Sequence, residues 1–146
     1  MKIYIGSDHG GFNIKGKIKL FLEKKGYTVE DCGPFELNPL DDYPDYVIPL
    51  AKKISKSKSM GIVFCRNGQG VCIATNKVKG IRAVTGFSIK EAKTTRKDDN
   101  ANILCIPSDY LTLVQVKKII VSWLETSFSG ATRHKRRLKK IRELEG

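Results

Sequence analysis

The sequence predicts a doubly wound α/β fold with a five-stranded parallel sheet, and three observations predict it. Apolar β-type runs alternate with helical patterns along the chain. The run at 60–65, MGIVFC, is almost wholly apolar, as a central strand buried on both faces should be. The two most glycine-rich loops follow the first and third strands. In the expected strand order, 2-1-3-4-5, the chain reverses its winding between strands one and three. A crevice opens there at the carboxyl ends of the strands, which is where ligands bind in such sheets.

Each element has its own signal. Lys2 to Gly6 reads as strand one and runs into the glycine turn Ser7-Asp8-His9-Gly10-Gly11. From Phe12 to Lys25, Ile14, Ile18, Phe21 and Leu22 share a helical face, and Lys15, Lys17, Lys19 and Lys24 fall mostly elsewhere. Gly26 suits the position just past that helix, and Tyr27 to Cys32 reads as strand two. A loop rich in Pro, Asp and Gly covers 33–44, followed by a helical pattern from Tyr46 to Ser55. Met60 to Cys65 is strand three, broken by Arg66-Asn67-Gly68-Gln69-Gly70 before a short helix through Val71, Ile73 and Ala74. Ile81 to Thr85 makes strand four, Ser88 caps a polar helix to Lys97, and Asn102 to Ile106 is strand five. Thr112 caps a last amphipathic helix carrying Val116, Ile119, Ile120, Trp123 and Leu124, and a basic extension, 129–146, follows as a separate helical segment.

Composition limits the classes. The chain has 146 residues, enough for one domain with a real core, spanning 1–146. With 40% hydrophobic and 29% charged residues, disorder and fibrous repeats are excluded. No apolar run approaches the roughly 20 residues of a membrane span and no signal peptide is evident, so a cytoplasmic protein without membrane contact is expected. The four cysteines form no CxxC pair and are expected to be reduced, three of them filling the core. The net charge of +12 suggests a polyanion as partner, but the charge is concentrated in the tail, from Arg133 to Arg142. No aromatic residues are interleaved with those cations for stacking on bases, which ranks a nucleic-acid partner last.

Asp8 and His9 fall at the end of strand one, Cys65 at the end of strand three. A thiol just before a helix N-terminus has its thiolate form favoured, and so can serve as base or nucleophile. The backbone N–H groups of Arg66, Asn67, Gly68, Gln69 and Gly70 can hold an oxyanion, with Gly68 and Gly70 allowing close approach to a ligand. A buried strand-end thiol, a turn-capping aspartate and a surface histidine are the alternative readings of these residues. Arg133 and Arg137, at i and i+4, either form part of a solvated face or clamp a phosphate.

Six segments, in order, resemble the type B ribose-5-phosphate isomerases and the related galactose-6-phosphate isomerase subunits. They are IGSDHGGF near the start, DDYPDY at 41–46, GIVFCRNGQG at 61–70, NKVKGIRA at 76–83, NANIL at 100–104 and RHKRRLKKI at 133–141. The resemblance implies aldose–ketose isomerisation of a phosphorylated sugar, with no metal or other cofactor, typically ribose 5-phosphate to ribulose 5-phosphate. It implies Cys65 as the base acting at carbon 2, Asp8, His9 and Tyr43 as sugar-binding residues, and Arg133 and Arg137 as phosphate ligands. It also implies a homodimer or dimer of dimers with active sites shared between subunits.

Three positions depart from the family pattern. Asp98 and Asp99 stand in an Asp98-Asp99-Asn100-Ala101-Asn102 run where a ring-opening histidine is usual. Asp98 can donate a proton only where burial or the neighbouring charge of Asp99 keeps it protonated; His9 and His134 are the alternatives. Asp109 replaces an arginine that contacts phosphate, and Arg66-Asn67 replaces Gly-Thr after the cysteine, which can restore the lost positive charge. A catalytically silent sugar-phosphate-binding protein and an isomerase for a six-carbon sugar phosphate are the competing readings.

Overall fold

The computed structural model describes residues 1–146. Strands β1 (Lys2–Ser7), β2 (Thr28–Asp31), β3 (Met60–Cys65), β4 (Ala83–Thr85) and β5 (Ile103–Pro107) form one parallel sheet. Helices α1 (Phe12–Lys24), α2 (Pro44–Ser55), α3 (Gln69–Asn76), α4 (Ile89–Asp99), α5 (Leu113–Glu125) and α6 (Thr132–Glu145) follow the predicted alternation. The caps are where the side-chain chemistry puts them. Ser88 Oγ accepts the Glu91 N–H at 3.1 Å, and Thr112 and Gln115 bond reciprocally in a capping box. No helix is long and apolar enough to cross a membrane.

The sheet divides the core in two. Ile3, Ile5, Ile62 and Leu104 pack beneath α1 and α5 with Ile18, Leu22, Ile120 and Trp123. On the opposite face, Val63, Ile103 and Cys105 pack beneath α2 and α3 with Val47, Leu50, Ile54 and Val71. Each fully buried aliphatic side chain contributes about 1.5–3 kcal/mol.

The strand order is β2-β1-β3-β5-β4, which corrects the expected 2-1-3-4-5 at its outer end. Burial explains the exchange. All five residues of β5 are buried, as an interior strand requires, whereas β4 has three residues of which only Ala83 is buried. The short, half-exposed strand takes the edge. The reversal between β1 and β3, which creates the crevice, is unaffected.

Two further expectations change. Lys15 belongs to the buried face of α1 with Ile18 and Leu22, because its ammonium meets Asp31 at the end of β2, at 2.8 and 3.0 Å, and Pro34 O at 2.6 Å. The basic tail is not separate either. Helix α6 buries His134 and Leu138, and the Glu145 carboxylate accepts the Gly80 N–H.

Candidate active site

Strands β1 and β3 end side by side, with Ser7 opposite Phe64 in their register. Beyond β1 the chain enters a single 3₁₀ turn, His9–Gly11, which Asp8 caps: its Oδ1 accepts the N–H groups of Gly10 at 2.9 Å and Gly11 at 3.2 Å. The other oxygen, Oδ2, takes no bond within the chain and remains available to a hydroxyl group. His9 is tied from the loop before α2. Asp41 Oδ1 lies 2.8 Å from His9 Nδ1 and also accepts the His9 main-chain N–H at 3.0 Å.

Cys65 is the last residue of β3 and is 5% exposed. Its thiol points to Asn67 Oδ1 at 3.8 Å, and that oxygen also accepts the Gln69 N–H at 3.0 Å. Asn67 therefore folds the loop back over the sulfur. Gly68, with φ of +72°, turns the backbone into α3. The main-chain N–H groups of Arg66, Asn67, Gly68 and Gly70 find no backbone acceptor, so this loop presents unpaired donors beside the sulfur at the N-terminus of α3.

Tyr43 closes one wall. A Cβ at Gly70 would stand 2.6 Å from Tyr43 Cζ and 2.7 Å from its Oη, so the tip of the phenol ring packs directly against this glycine and a larger residue must push it aside. Gly70→Val is expected to displace this ring, destabilising the fold by about 1–3 kcal/mol and weakening ligand binding. Urea unfolding and a binding titration on the same preparation check both parts. The two charge departures meet each other: Arg66 Nη1 lies 3.5 Å from Asp109 Oδ2, both well exposed. The exposed pair contributes about 0–1 kcal/mol to stability.

Asp98, Asp99, Arg133 and Arg137 are not brought to Cys65 within one chain. Asp98 and Asp99 end α4 just ahead of β5, at the edge of the sheet where its strands begin; Cys65 lies where they finish. The two edges are on the order of 15 Å apart at about 3.3 Å per residue. Asp98 Oδ1 faces His134 Nε2 at 3.4 Å, and Arg133 and Arg137 are exposed on α6 beside that pair.

All four cysteines are free. Cys72 is drawn down to about 7 by hydrogen bonding from the Cys105 thiol, against the effect of its own partial burial, with Thr85 adding to the lowering. Complete burial pushes Cys105 well up. Cys72 Sγ faces Ala83 O at 3.5 Å, on the β4 side of α3, so its ionisation does not make it a second strand-end base. A surface groove of about 450 Å³ lies between α1 and α5 around Phe21, Val114 and Val121, away from Cys65.

Sequence reasoning missed Asp41. Its position inside DDYPDY, two residues before Tyr43, was the available signal. Its bond to His9 spans 32 residues of sequence and has no local signature.

These features define a doubly wound α/β protein holding a strand-end thiol against a donor-lined loop at its switch point. The ribose/galactose isomerase family model matches residues 3–141. The chain belongs to that family. It is 43% identical over 140 residues to the probable ribose-5-phosphate isomerase B of Mycoplasma pneumoniae, covering 95% of this chain and 91% of that protein. A putative sugar phosphate isomerase of Bacillus subtilis is 37% identical over 146 residues, covering 99% of this chain and 97% of that protein. Among solved structures, ribose-5-phosphate isomerase B from Mycoplasma genitalium with bound ribulose-5-phosphate superposes with a TM-score of 0.95 at 41% identity, covering 99% of this chain and 95% of that one. The Clostridium thermocellum ribose-5-phosphate isomerase B gives 0.95 at 42% identity, covering 99% and 97%.

Proposed function

We propose that this chain interconverts ribose 5-phosphate and ribulose 5-phosphate. The observation that carries the reading is the Cys65 sulfur beside the unpaired amides of the 66–70 loop. The thiolate removes the proton from carbon 2 of the open-chain aldose. Negative charge moves onto the carbonyl oxygen, giving an enediolate that the amides stabilise, and the sulfur returns the proton at carbon 1. The amides are fixed by Gly68 and the Asn67 turn, so they need little rearrangement as the charge develops.

Asp8, His9 and Tyr43 surround the sugar from the same chain. Arg133 and Arg137 bind the phosphate from a second copy, since their place at the far edge keeps them from their own Cys65. Asp98 and Asp99 arrive with them. Two groups can then deliver the ring-opening proton: His9, beside Cys65, or Asp98, from the second copy. The working unit is a homodimer or a pair of dimers, and four unpaired thiols suit a reducing cytoplasm.

A progress curve in deuterium oxide tests the reading, comparing ribose 5-phosphate, allose 6-phosphate and galactose 6-phosphate. Deuterium entering the ribose pair as ribulose 5-phosphate forms is the expected result. Turnover of a six-carbon substrate alone reassigns the substrate, and no exchange with any of the three removes the isomerase reading.

A further inference from the structure

One carboxylate oxygen makes both of the bonds that hold His9. Asp41 Oδ1 accepts its main-chain N–H and its ring Nδ1–H, the side chain is 3% exposed, and Oδ2 is buried with no partner. The carboxylate is therefore anchored almost wholly through His9, and each residue fixes the other. The bond assigns the proton to Nδ1 and leaves Nε2, on a ring 26% exposed, without a partner in the chain.

We propose that His9 is the acid–base that opens the sugar ring and that Asp41 is its positioning residue, an inference that rests on the isomerase reading of the same site. Nε2 takes the proton of the carbon 1 hydroxyl group. The bond between carbon 1 and the ring oxygen breaks as the carbonyl forms. The imidazolium then gives its proton to the former ring oxygen, which becomes the carbon 4 hydroxyl. Between the two transfers Asp41 faces the charged ring, the arrangement that a histidine oriented by a buried carboxylate provides.

Geometry favours His9 over Asp98. His9 leaves β1 beside the end of β3, in the same chain as the base. Asp98 is at the other edge of the sheet with its Oδ1 towards His134, and it would need both a second copy and a proton.

Ring opening can be measured apart from isomerisation. In the Cys65→Ala protein the base is gone, but ring opening and closing still interconvert the α and β anomers of ribose 5-phosphate, which exchange spectroscopy by NMR follows. The expected result is anomer exchange faster than without protein in Cys65→Ala. The acceleration falls about 10²- to 10³-fold when Asp41→Asn or His9→Gln is added, and the Asp41→Asn protein, whose substitution lies behind the ring, binds ribose 5-phosphate within about twofold of its parent. His9→Gln keeps the test decisive if Asp41→Asn fails to fold. Acceleration that survives both additions, or that disappears only with Asp98→Asn, overturns the proposal, as does a Cys65→Ala protein that gives no acceleration. A native chain that accelerates anomer exchange but never moves the carbon 2 proton supports the ring-opening pair while removing the isomerase reading.

Discussion

Cys65→Ala is expected to leave a folded protein that no longer moves the carbon 2 proton of ribose 5-phosphate. A positioned general base contributes about 10²–10⁴-fold in rate, so the remaining activity should be at the low end of detection in a coupled assay. The structural effect is small by comparison. Cys65 is buried against Val63, Val71 and Cys105, and removing one sulfur there costs about 1 kcal/mol. Loss of activity with a near-native unfolding midpoint is thus the signature of the base. Cys65→Ser adds a finer comparison, because the hydroxyl fills the space but ionises far less readily than a thiol. A Cys65→Ala protein that turns over normally would end the mechanism.

Lys15→Ala is expected to have the largest effect on stability. The ammonium is 2% exposed on its side chain and bonded to both Asp31 oxygens and to Pro34 O, with the Phe12 and Phe35 rings 5.5 and 5.8 Å away. Removing one member of such a pair strands the other in a low-dielectric setting, at a cost of about 3–5 kcal/mol. Urea denaturation should show the midpoint falling by about 1–3 M with little change in slope. The consequence reaches the site, because the segment from Asp31 to Pro34 starts the loop that delivers Asp41 and Tyr43. Substrate affinity should weaken along with stability. A midpoint within about 0.3 M of the parent would mean that the pair is stabilised mainly by water rather than by its burial.

Much of this arrangement can be read along the chain because it is local. The apolar run MGIVFC, the two glycine loops, and the caps Ser88 and Thr112 each act within a few residues, and together they place Cys65, Asp8 and His9 at the switch point. What failed was non-local. Whether β4 or β5 lies beside β3 depends on which run is buried on both faces, and the contrast between ILCIP and a strand preceded by Arg82 carried that information only in hindsight. Lys15 looked like another solvent-facing lysine because its partner, Asp31, is 16 residues away. Asp41 was hidden for the same reason. In Arg66 and Asp109 the two departures were visible, but their mutual pairing was not.

The separation of Cys65 from Arg137 along the sheet has a genetic consequence. If each pocket borrows its phosphate clamp from a neighbour, a Cys65→Ala subunit and an Arg137→Ala subunit, each inactive alone, are complementary when combined. Statistical pairing yields hybrids in which one pocket carries both lesions and the other carries none, so an equimolar blend should recover about a quarter of native turnover. Recovery of nothing would mean that each polypeptide assembles its pocket unaided.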